Sequence, residues 1–151
     1  MRYVIGCDNA AIELKNILKK FLEDSDYIVE DMGCFSQEDN TYYPYVAEKV
    51  CKKIMESNYE KRGILICGTG LGMAMSANKF PGIRAGVCHD AFSAERLVLS
   101  NNGNVICFGE RVIGTELAKK MLWEWIHLSF QDGSSTAKVR AIEEIEKQTM
   151  K

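Results

Sequence analysis

The sequence has few of the features that mark nucleic-acid-binding, membrane-spanning or metal-binding proteins. Its 151 residues carry a formal net charge of −2, so no excess of basic residues is available to bind a phosphate backbone. No apolar run reaches the roughly 18 residues of a transmembrane helix, and the amino-terminal segment lacks the apolar stretch of a cleavable signal. Only two histidines and two prolines occur. We therefore expect a cytoplasmic protein whose partners are small molecules or further copies of itself, with no nucleic-acid or membrane partner.

The six cysteines form no recognisable metal or disulfide pattern. No pair has the CxxC spacing, and no histidine-rich segment accompanies them. Four of them end short apolar runs, where a free cysteine behaves as a small hydrophobic residue: Cys7, Cys67, Cys88 and Cys107. We expect free thiols in a reducing compartment, and neither a metal nor an organic cofactor.

Short β-branched segments alternate with longer segments of helical periodicity. In the first helical segment, Leu14, Leu18 and Leu22 recur at intervals of four residues. The alternation predicts strands at 3–7, 27–31, 63–67, 84–88 and 104–108, and helices at 10–24, 45–57, 71–80, 92–99 and 115–130. A charged segment with helical character follows at 137–151. Pro44 and Pro81 fall between these segments, as helix breakers do.

This order of elements predicts one α/β domain spanning residues 1–151. A hydrophobic content of 46% suits a single core of this size. Strands separated by helices need crossover connections, and right-handed crossovers place helices on both faces of a parallel sheet. We therefore expect a three-layer α/β/α sandwich with a doubly wound, Rossmann-like, five-stranded parallel sheet. Residues 131–151 would form a helical arm, either solvated or packed on a second subunit.

The candidate site lies in the loops that follow the strands, because ligands of open parallel sheets bind beyond the carboxyl ends of the strands. Glycines at 68, 70 and 72 allow several backbone N–H groups to converge on an anion where a helix begins. The alternatives are a tight turn without a ligand and a nucleotide site, although no GxxxxGK[ST] loop is present. Cys67 directly precedes this loop, where the partial positive charge of a helix amino terminus favours the thiolate.

These residues and their neighbours are similar to those of one known family. The sequence resembles ribose 5-phosphate isomerase B and its relatives that isomerise galactose 6-phosphate and allose 6-phosphate. The resemblance runs from residue 2 to about residue 130. Its motifs are Gly6-Cys-Asp8, Tyr43-Pro44, ICGTGLGM at 66–73, Asn78-Lys79, GIRA at 82–85, Ser93-Ala94, Asn101, Asn104-Val105 and GERVIG at 109–114.

The resemblance implies a metal-free aldose–ketose isomerisation through a cis-enediolate. Cys67 would be the base that moves a proton between C1 and C2, and the neighbouring amides would stabilise the enediolate oxygen. Thr69 and Asp8 would assist ring opening. The other matched substrate-binding positions are Tyr43, Gly68, Gly70, Leu71, Gly72, Asn101 and Arg111. The family also implies a homodimer, or a tetramer of two dimers, with each site completed by the neighbouring chain.

The sequence departs from the family pattern at four positions. Asn9 and Ser100 stand where the family usually has histidines, the second being the acid for ring opening. Ser134 and Lys138 align with the phosphate ligands of the family, which are usually Gly-Arg-His and a later arginine. We keep Asn9, Ser134 and Lys138 as candidates for substrate binding. Ser100 remains a candidate catalytic residue. A sugar with a different far end, short or unphosphorylated, fits these losses best.

The two remaining histidines differ in what they can do. His89 follows a strand end, so it could contact substrate, yet an N-cap role of Asp90 explains the same segment without chemistry. His127 lies in an apolar helix and is expected to have a core or surface role. The sequence therefore indicates a sugar-phosphate isomerase. A catalytically silent, sugar-binding subunit is the alternative.

Overall fold

The computed structural model describes residues 2–150, so Met1 and Lys151, the outermost residues of the predicted domain and arm, lie outside the described residues. Strands and helices alternate along this part of the chain as the periodicity predicts. The elements are β1 (Arg2–Cys7), α1 (Ile12–Glu23), β2 (Ile28–Asp31), α2 (Tyr43–Glu56), β3 (Arg62–Cys67), α3 (Leu71–Ala77), β4 (Ala85–Val87), α4 (Ala91–Leu99), β5 (Val105–Gly109), α5 (Thr115–Ile126) and α6 (Thr136–Thr149).

The five strands form one parallel sheet in the order β2-β1-β3-β5-β4, which confirms the predicted doubly wound architecture. The chain moves from β1 outward to β2 and then crosses to β3 on the other side of β1. The direction of winding therefore reverses between β1 and β3. A crevice opens at such a switch point, beyond the carboxyl ends of the strands. Cys7 pairs with Ile66 there, so the loops that follow Cys7 and Cys67 are neighbours.

Each face of the sheet carries its own hydrophobic layer. Helices α1, α4 and α5 cover one face, where Ile5, Leu18 and Trp125 are among the buried residues. Helices α2 and α3 cover the other face, around Val50 and Cys107. The central strands have apolar residues on both faces because both are covered, as is usual for parallel sheets.

All six cysteines are free and buried: the four that end apolar runs, as expected, and also Cys34 and Cys51. Burial raises the pKa of Cys7, Cys51 and Cys88 to about 12. Burial also raises the pKa of the Cys107 thiol. These four thiols are therefore held in the neutral form at neutral pH and act as small apolar side chains.

Several predicted helix boundaries were wrong, since α1 begins at Ile12 rather than at residue 10 and α3 ends at Ala77 rather than at residue 80. Pro44 lies within the first turn of α2, because proline needs no N–H bond there and its fixed φ suits a helix start. Helix α5 ends at Ile126 rather than at residue 130. The Arg62 guanidinium donates to the carbonyls of Trp125 and Leu128 at 3.2 and 2.7 Å and so satisfies the end of this helix.

The charged terminal segment is helical, as its pattern predicts. Helix α6 buries Val139 and accepts a hydrogen bond from the Gly82 N–H at Glu146, over 2.8 Å. Ile142 and Ile145, however, are 45% and 60% exposed. The arm thus lies against its own chain beside β4 and leaves apolar residues uncovered. Across residues 2–150, no helix has both the length and the apolar composition needed to cross a membrane.

Candidate active site

The glycine-rich segment Gly68–Gly72, called the anion loop below, connects β3 to α3. Gly70 is the N-cap of α3 and has a φ of +82°, which side-chain-bearing residues rarely adopt. A Cβ atom at this position would also lie 3.0 Å from the carbonyl carbon of Phe108. Only glycine therefore permits both the left-handed turn and the close packing of the loop against the end of β5.

Cys67 ends β3 and is 5% exposed. Its Sγ accepts a hydrogen bond from the Gly70 N–H at 3.1 Å. A backbone amide directed at sulfur stabilises negative charge on it, and the amino terminus of α3 adds to the effect. Cys67 therefore differs from Cys7, Cys51 and Cys88, whose thiols donate to backbone carbonyls, because its sulfur accepts a backbone N–H.

Asp8 directly follows β1, the strand that pairs with β3. Its backbone N–H donates to the carbonyl of Ile66 at 3.2 Å, and its Oδ1 accepts from the Ala10 N–H at 3.0 Å. Asn9 reaches the loop after β2, because its Nδ2 donates to the Gln37 carbonyl at 3.4 Å. The structure thus brings Asp8 and Asn9 to the same edge of the sheet as Cys67.

Two larger side chains lie against the anion loop, and the hydroxyl of Thr69, within the loop, bonds to the loop's own backbone. The Arg111 guanidinium packs on Gly68, where a Cβ atom would lie 3.4 Å from Nη1. The Tyr43 ring packs on Gly72 so closely that a Cβ atom there would overlap it. Thr69 is exposed, and its Oγ1 accepts from the Leu71 N–H at 3.3 Å. The loop is therefore covered by a positive charge on one side and an aromatic ring on the other.

His89 lies beyond β4, half-buried, next to the end of β5. Its Nε2 accepts a hydrogen bond from the Gly109 N–H at 2.7 Å. Burial lowers the pKa of His89 from 6.5, and the carboxylate of Asp90 acts in the opposite direction with a smaller effect. Asp90 caps α4 as predicted, accepting from the Ser93 N–H at 2.7 Å.

Two of the predicted site residues, Ser100 and Asn101, lie towards the opposite end of β3 from Cys67. They follow the last residue of α4, close in sequence to Asn104, whose carbonyl accepts from the Gly63 N–H at the start of β3. The six residues of β3 separate that end from Cys67 by about 16 Å. A site that combines Ser100 and Asn101 with Cys67 therefore needs a second copy of the chain. Ser134 and Lys138 are exposed, before α6 and in its first turn.

Lys15 is a buried residue that the sequence analysis missed. Its side chain is fully buried, and its Nζ lies 3.0 Å from the Asp31 carboxylate and 2.6 Å from the Cys34 carbonyl. The ammonium also lies 4.4 Å from the centroid of the Phe35 ring. The signal was present, because Lys15 stands four residues after Ala11 and three before Leu18, on the apolar face of α1.

Glu110 is the second residue missed, and it directly follows β5. Its backbone N–H donates to the Cys67 carbonyl at 2.9 Å, and its Oε1 accepts from the Leu14 N–H at 3.3 Å. Burial raises the pKa of Glu110 above its ordinary 4.5, and Glu13 and Asp8 add to the rise. Its place at the carboxyl end of a strand was the available signal. Among residues 2–150, no group of three or more His, Cys, Asp or Glu side chains is arranged to hold a metal ion.

Comparison with known proteins gives concordant results. The family model described as Ribose/Galactose Isomerase matches residues 3–142. The chain is 48% identical over 139 residues to a D-erythrulose-4-phosphate isomerase 2 of Mycolicibacterium smegmatis, covering 91% of each chain. It is 44% identical to a ribose-5-P isomerase B of Listeria innocua, covering 97% of each. The structure superposes on a ribose-5-phosphate isomerase B of Clostridium thermocellum with a TM-score of 0.93 at 38% identity, covering 98% and 99% of the two chains.

Proposed function

The chain belongs to the ribose/galactose isomerase family and is an aldose–ketose isomerase, and we propose that it acts on a four-carbon sugar phosphate with Cys67 as the base. The observation that carries the assignment of the base is the Gly70 N–H directed at Sγ of Cys67 over 3.1 Å. It combines a nucleophilic atom with an oxyanion-type loop at the switch point of the sheet.

In the proposed reaction, Cys67 and the anion loop act on the open-chain sugar. The Cys67 thiolate takes the proton from C2 of the open-chain aldose, and the electron pair of that C–H bond forms a C1–C2 double bond while O1 becomes negative. Amides of the anion loop and the Arg111 guanidinium stabilise this enediolate. The Cys67 thiol then returns the proton to C1, and a proton moves from O2 to O1, which leaves a carbonyl at C2. Proton transfer of this kind typically accelerates a reaction by about 10²- to 10⁴-fold.

The size of the substrate is argued from Ser100. A serine hydroxyl is a poor proton donor near neutral pH, so the family's usual acid for ring opening is missing. An aldotetrose 4-phosphate needs no such acid, because its C4 oxygen carries the phosphate and cannot close a ring. Two relatives are named for substrates of the two sizes: the one from M. smegmatis for four-carbon D-erythrulose 4-phosphate, and the one from L. innocua for five-carbon ribose 5-phosphate.

The site is proposed to be completed by a second copy of the chain, which would bring Ser100 and Asn101 to Cys67. Exposed apolar side chains surround the carboxyl edge of the sheet and would be covered by that copy: Phe35, Tyr42, Leu71, Phe92 and Val112. The charged arm would contribute Ser134 and Lys138 in place of the family's phosphate ligands. Six free thiols agree with the expected cytoplasmic location of this single-domain chain.

The test of the base is the exchange of the C2 proton in heavy water. Cys67→Ala should reduce exchange and turnover by at least about a hundredfold, because the base is removed while the anion loop remains. The matched control is Cys51→Ala, which removes a buried thiol on α2 and should leave turnover nearly unchanged. A Cys67→Ala variant that keeps more than about a tenth of the activity would show that another group takes the proton.

The test of the substrate compares D-erythrose 4-phosphate with ribose 5-phosphate. We expect kcat/KM to be at least about tenfold higher for the four-carbon substrate, with the value for ribose 5-phosphate below about 10⁴ M⁻¹s⁻¹. Ser100→His should raise turnover of ribose 5-phosphate but not of erythrose 4-phosphate. Equal kcat/KM values for the two sugars would refute the size argument. Absence of turnover on any sugar phosphate would favour the silent-subunit alternative, and tight binding of labelled ATP or NAD would favour a nucleotide site.

A further inference from the structure

The His89 side chain is bonded to the backbone at the end of β5. Its Nε2 accepts the Gly109 N–H at 2.7 Å, a short hydrogen bond for nitrogen donors and acceptors. Gly109 is buried at the last position of β5, which pairs with β3 at Cys67. The acceptor for this amide therefore comes from a loop beyond the neighbouring strand, where the ladder of β5 has ended.

The end of β5 supports the anion loop directly. A Cβ atom at Gly109 would lie 2.6 to 2.7 Å from three backbone atoms of Thr69, so the two segments are in backbone contact. Gly70 packs on the same strand end, since a Cβ atom there would lie 3.4 Å from the nitrogen of Gly109. A small displacement of Gly109 would thus be transmitted to Thr69 and Gly70, because close-packed backbones leave no free space.

Two hydrogen bonds extend the same support to Cys67. The Glu110 N–H donates to the Cys67 carbonyl at 2.9 Å, and the Arg111 N–H donates to the Gly68 carbonyl at 3.1 Å. The residues after Gly109 therefore hold both the strand end that carries the sulfur and the loop that presents the Gly70 N–H to it.

We propose that His89 is a positioning residue for the isomerisation: its neutral imidazole fixes Gly109, and through Gly109 the distance between the Gly70 N–H and the sulfur of Cys67. The inference rests on the proposed role of Cys67 as the base. This role stands beside the predicted substrate contact at His89, which would have to use another atom of the ring because Nε2 already accepts the Gly109 N–H.

The bond to Gly109 requires one particular state of His89. An Nε2 that accepts a hydrogen bond carries no proton, so the ring is neutral with its proton on Nδ1. Partial burial lowers the pKa of His89 from 6.5, and Asp90 on the same loop opposes this change. From the facing strand, β5 presents the Gly109 amide, which is followed by the charged residues Glu110 and Arg111. Protonation would convert the acceptor into a donor and break the bond.

Two variants separate positioning from other roles. His89→Leu removes the acceptor and leaves the buried Gly109 N–H without a partner, and we expect kcat to fall by about tenfold to a hundredfold with KM within about twofold. In His89→Gln the Oε1 atom can accept the same hydrogen bond, so kcat should recover to within about threefold of the original value. Gln variants as impaired as the Leu variant would show that the imidazole itself takes part in the chemistry and would overturn the proposal.

The second readout is the reactivity of Cys67 towards iodoacetamide, followed by mass spectrometry with Cys67→Ala as the blank. His89→Leu should slow alkylation at neutral pH by a factor similar to its loss of kcat, and His89→Gln should not. Equal alkylation rates in all three proteins would overturn the proposal. This measurement needs no turnover, so it distinguishes a failure here from a failure of Cys67 as base, which would appear as activity retained in Cys67→Ala.

The pH profile keeps the proposal testable if His89→Leu does not fold. In the original chain kcat/KM should fall on the acid side with the uptake of two protons, one at Cys67 and one at His89. His89→Gln should show the uptake of one. A two-proton acid limb that persists in His89→Gln would contradict the inference.

Discussion

The buried Lys15–Asp31 pair gives a stability prediction that can be worked out from the structure. Lys15→Met keeps the length and apolar character of the side chain but removes the charge. The Asp31 carboxylate is 7% exposed, so it would be left buried with Lys19, at 3.5 Å and 31% exposed, as its remaining cation. Removing one partner of a buried pair typically costs about 3–5 kcal/mol of unfolding free energy.

Part of this cost comes from the backbone that the pair holds. Lys15 also donates to the Cys34 carbonyl at 2.6 Å, and Asp31 accepts from the Gly33 N–H at 2.9 Å. The segment from Asp31 to Cys34 is bonded in turn to the backbone of Cys7, which directly precedes Asp8, through the Gly33 carbonyl and the Cys34 N–H. For a chain of this size, 1 kcal/mol corresponds to roughly 2–4 °C, so the midpoint of thermal unfolding should fall by about 6–20 °C.

The assays are urea unfolding, which gives the free energy, and thermal unfolding, which gives the midpoint, both followed by circular dichroism at a fixed protein concentration. Lys20→Met is the matched control, because Lys20 forms an exposed ion pair with Asp24 on the same helix and should leave the midpoint nearly unchanged. In a double-mutant cycle, Lys15→Met with Asp31→Asn should recover about 0.5–3 kcal/mol, since no buried charge is left alone. A loss below about 1 kcal/mol in Lys15→Met, indistinguishable from the control, would refute the reasoning.

Three further predictions follow from single features of the structure. Gly70→Ala should lower kcat more than a hundredfold and destabilise the fold by about 1–3 kcal/mol, because φ is +82° and the added Cβ would press on Phe108. The control is Gly114→Ala, which has open space around it and should be nearly neutral in both assays. Asp90→Ala should lower the thermal midpoint at pH 7, because the Ser93 N–H and hydroxyl donate to the Asp90 carboxylate and hold its pKa below 3.8. The contribution is complete above 3.8 and should be lost as the pH falls through the folded-state pKa. A constant difference between about pH 7 and pH 3 would contradict this. Sedimentation should show a species larger than one 17.0 kDa chain at micromolar concentration, and a monomer would contradict the shared site.

The sequence by itself determined the order of the elements and the place of the reactive loop. Apolar periodicity is local, so the alternation of strands and helices could be predicted to within a few residues, and β3 and its anion loop were expected where they lie. Cys67 and the glycines at 68, 70 and 72 lie within six consecutive residues, so a reactive cysteine beside an anion-binding loop could be predicted without tertiary information. The errors at Pro44 and at the end of α5 arose where a helix terminus depends on backbone bonding, as with the Arg62 guanidinium that caps α5.

Tertiary structure decided which distant residues meet. Periodicity does not give the strand order, so only the sheet shows that winding reverses between β1 and β3 and that Asp8 lies beside Cys67. Only packing shows that Lys15 is buried against Asp31, because the rest of α1, a turn and the other residues of β2 lie between them in the chain. His89 was predicted to contact substrate from its position after a strand, and only the sheet shows that its Nε2 also accepts the Gly109 N–H at the end of β5. Ser100 is removed from Cys67 by the length of β3, because each helix returns the chain to the opposite edge of a parallel sheet.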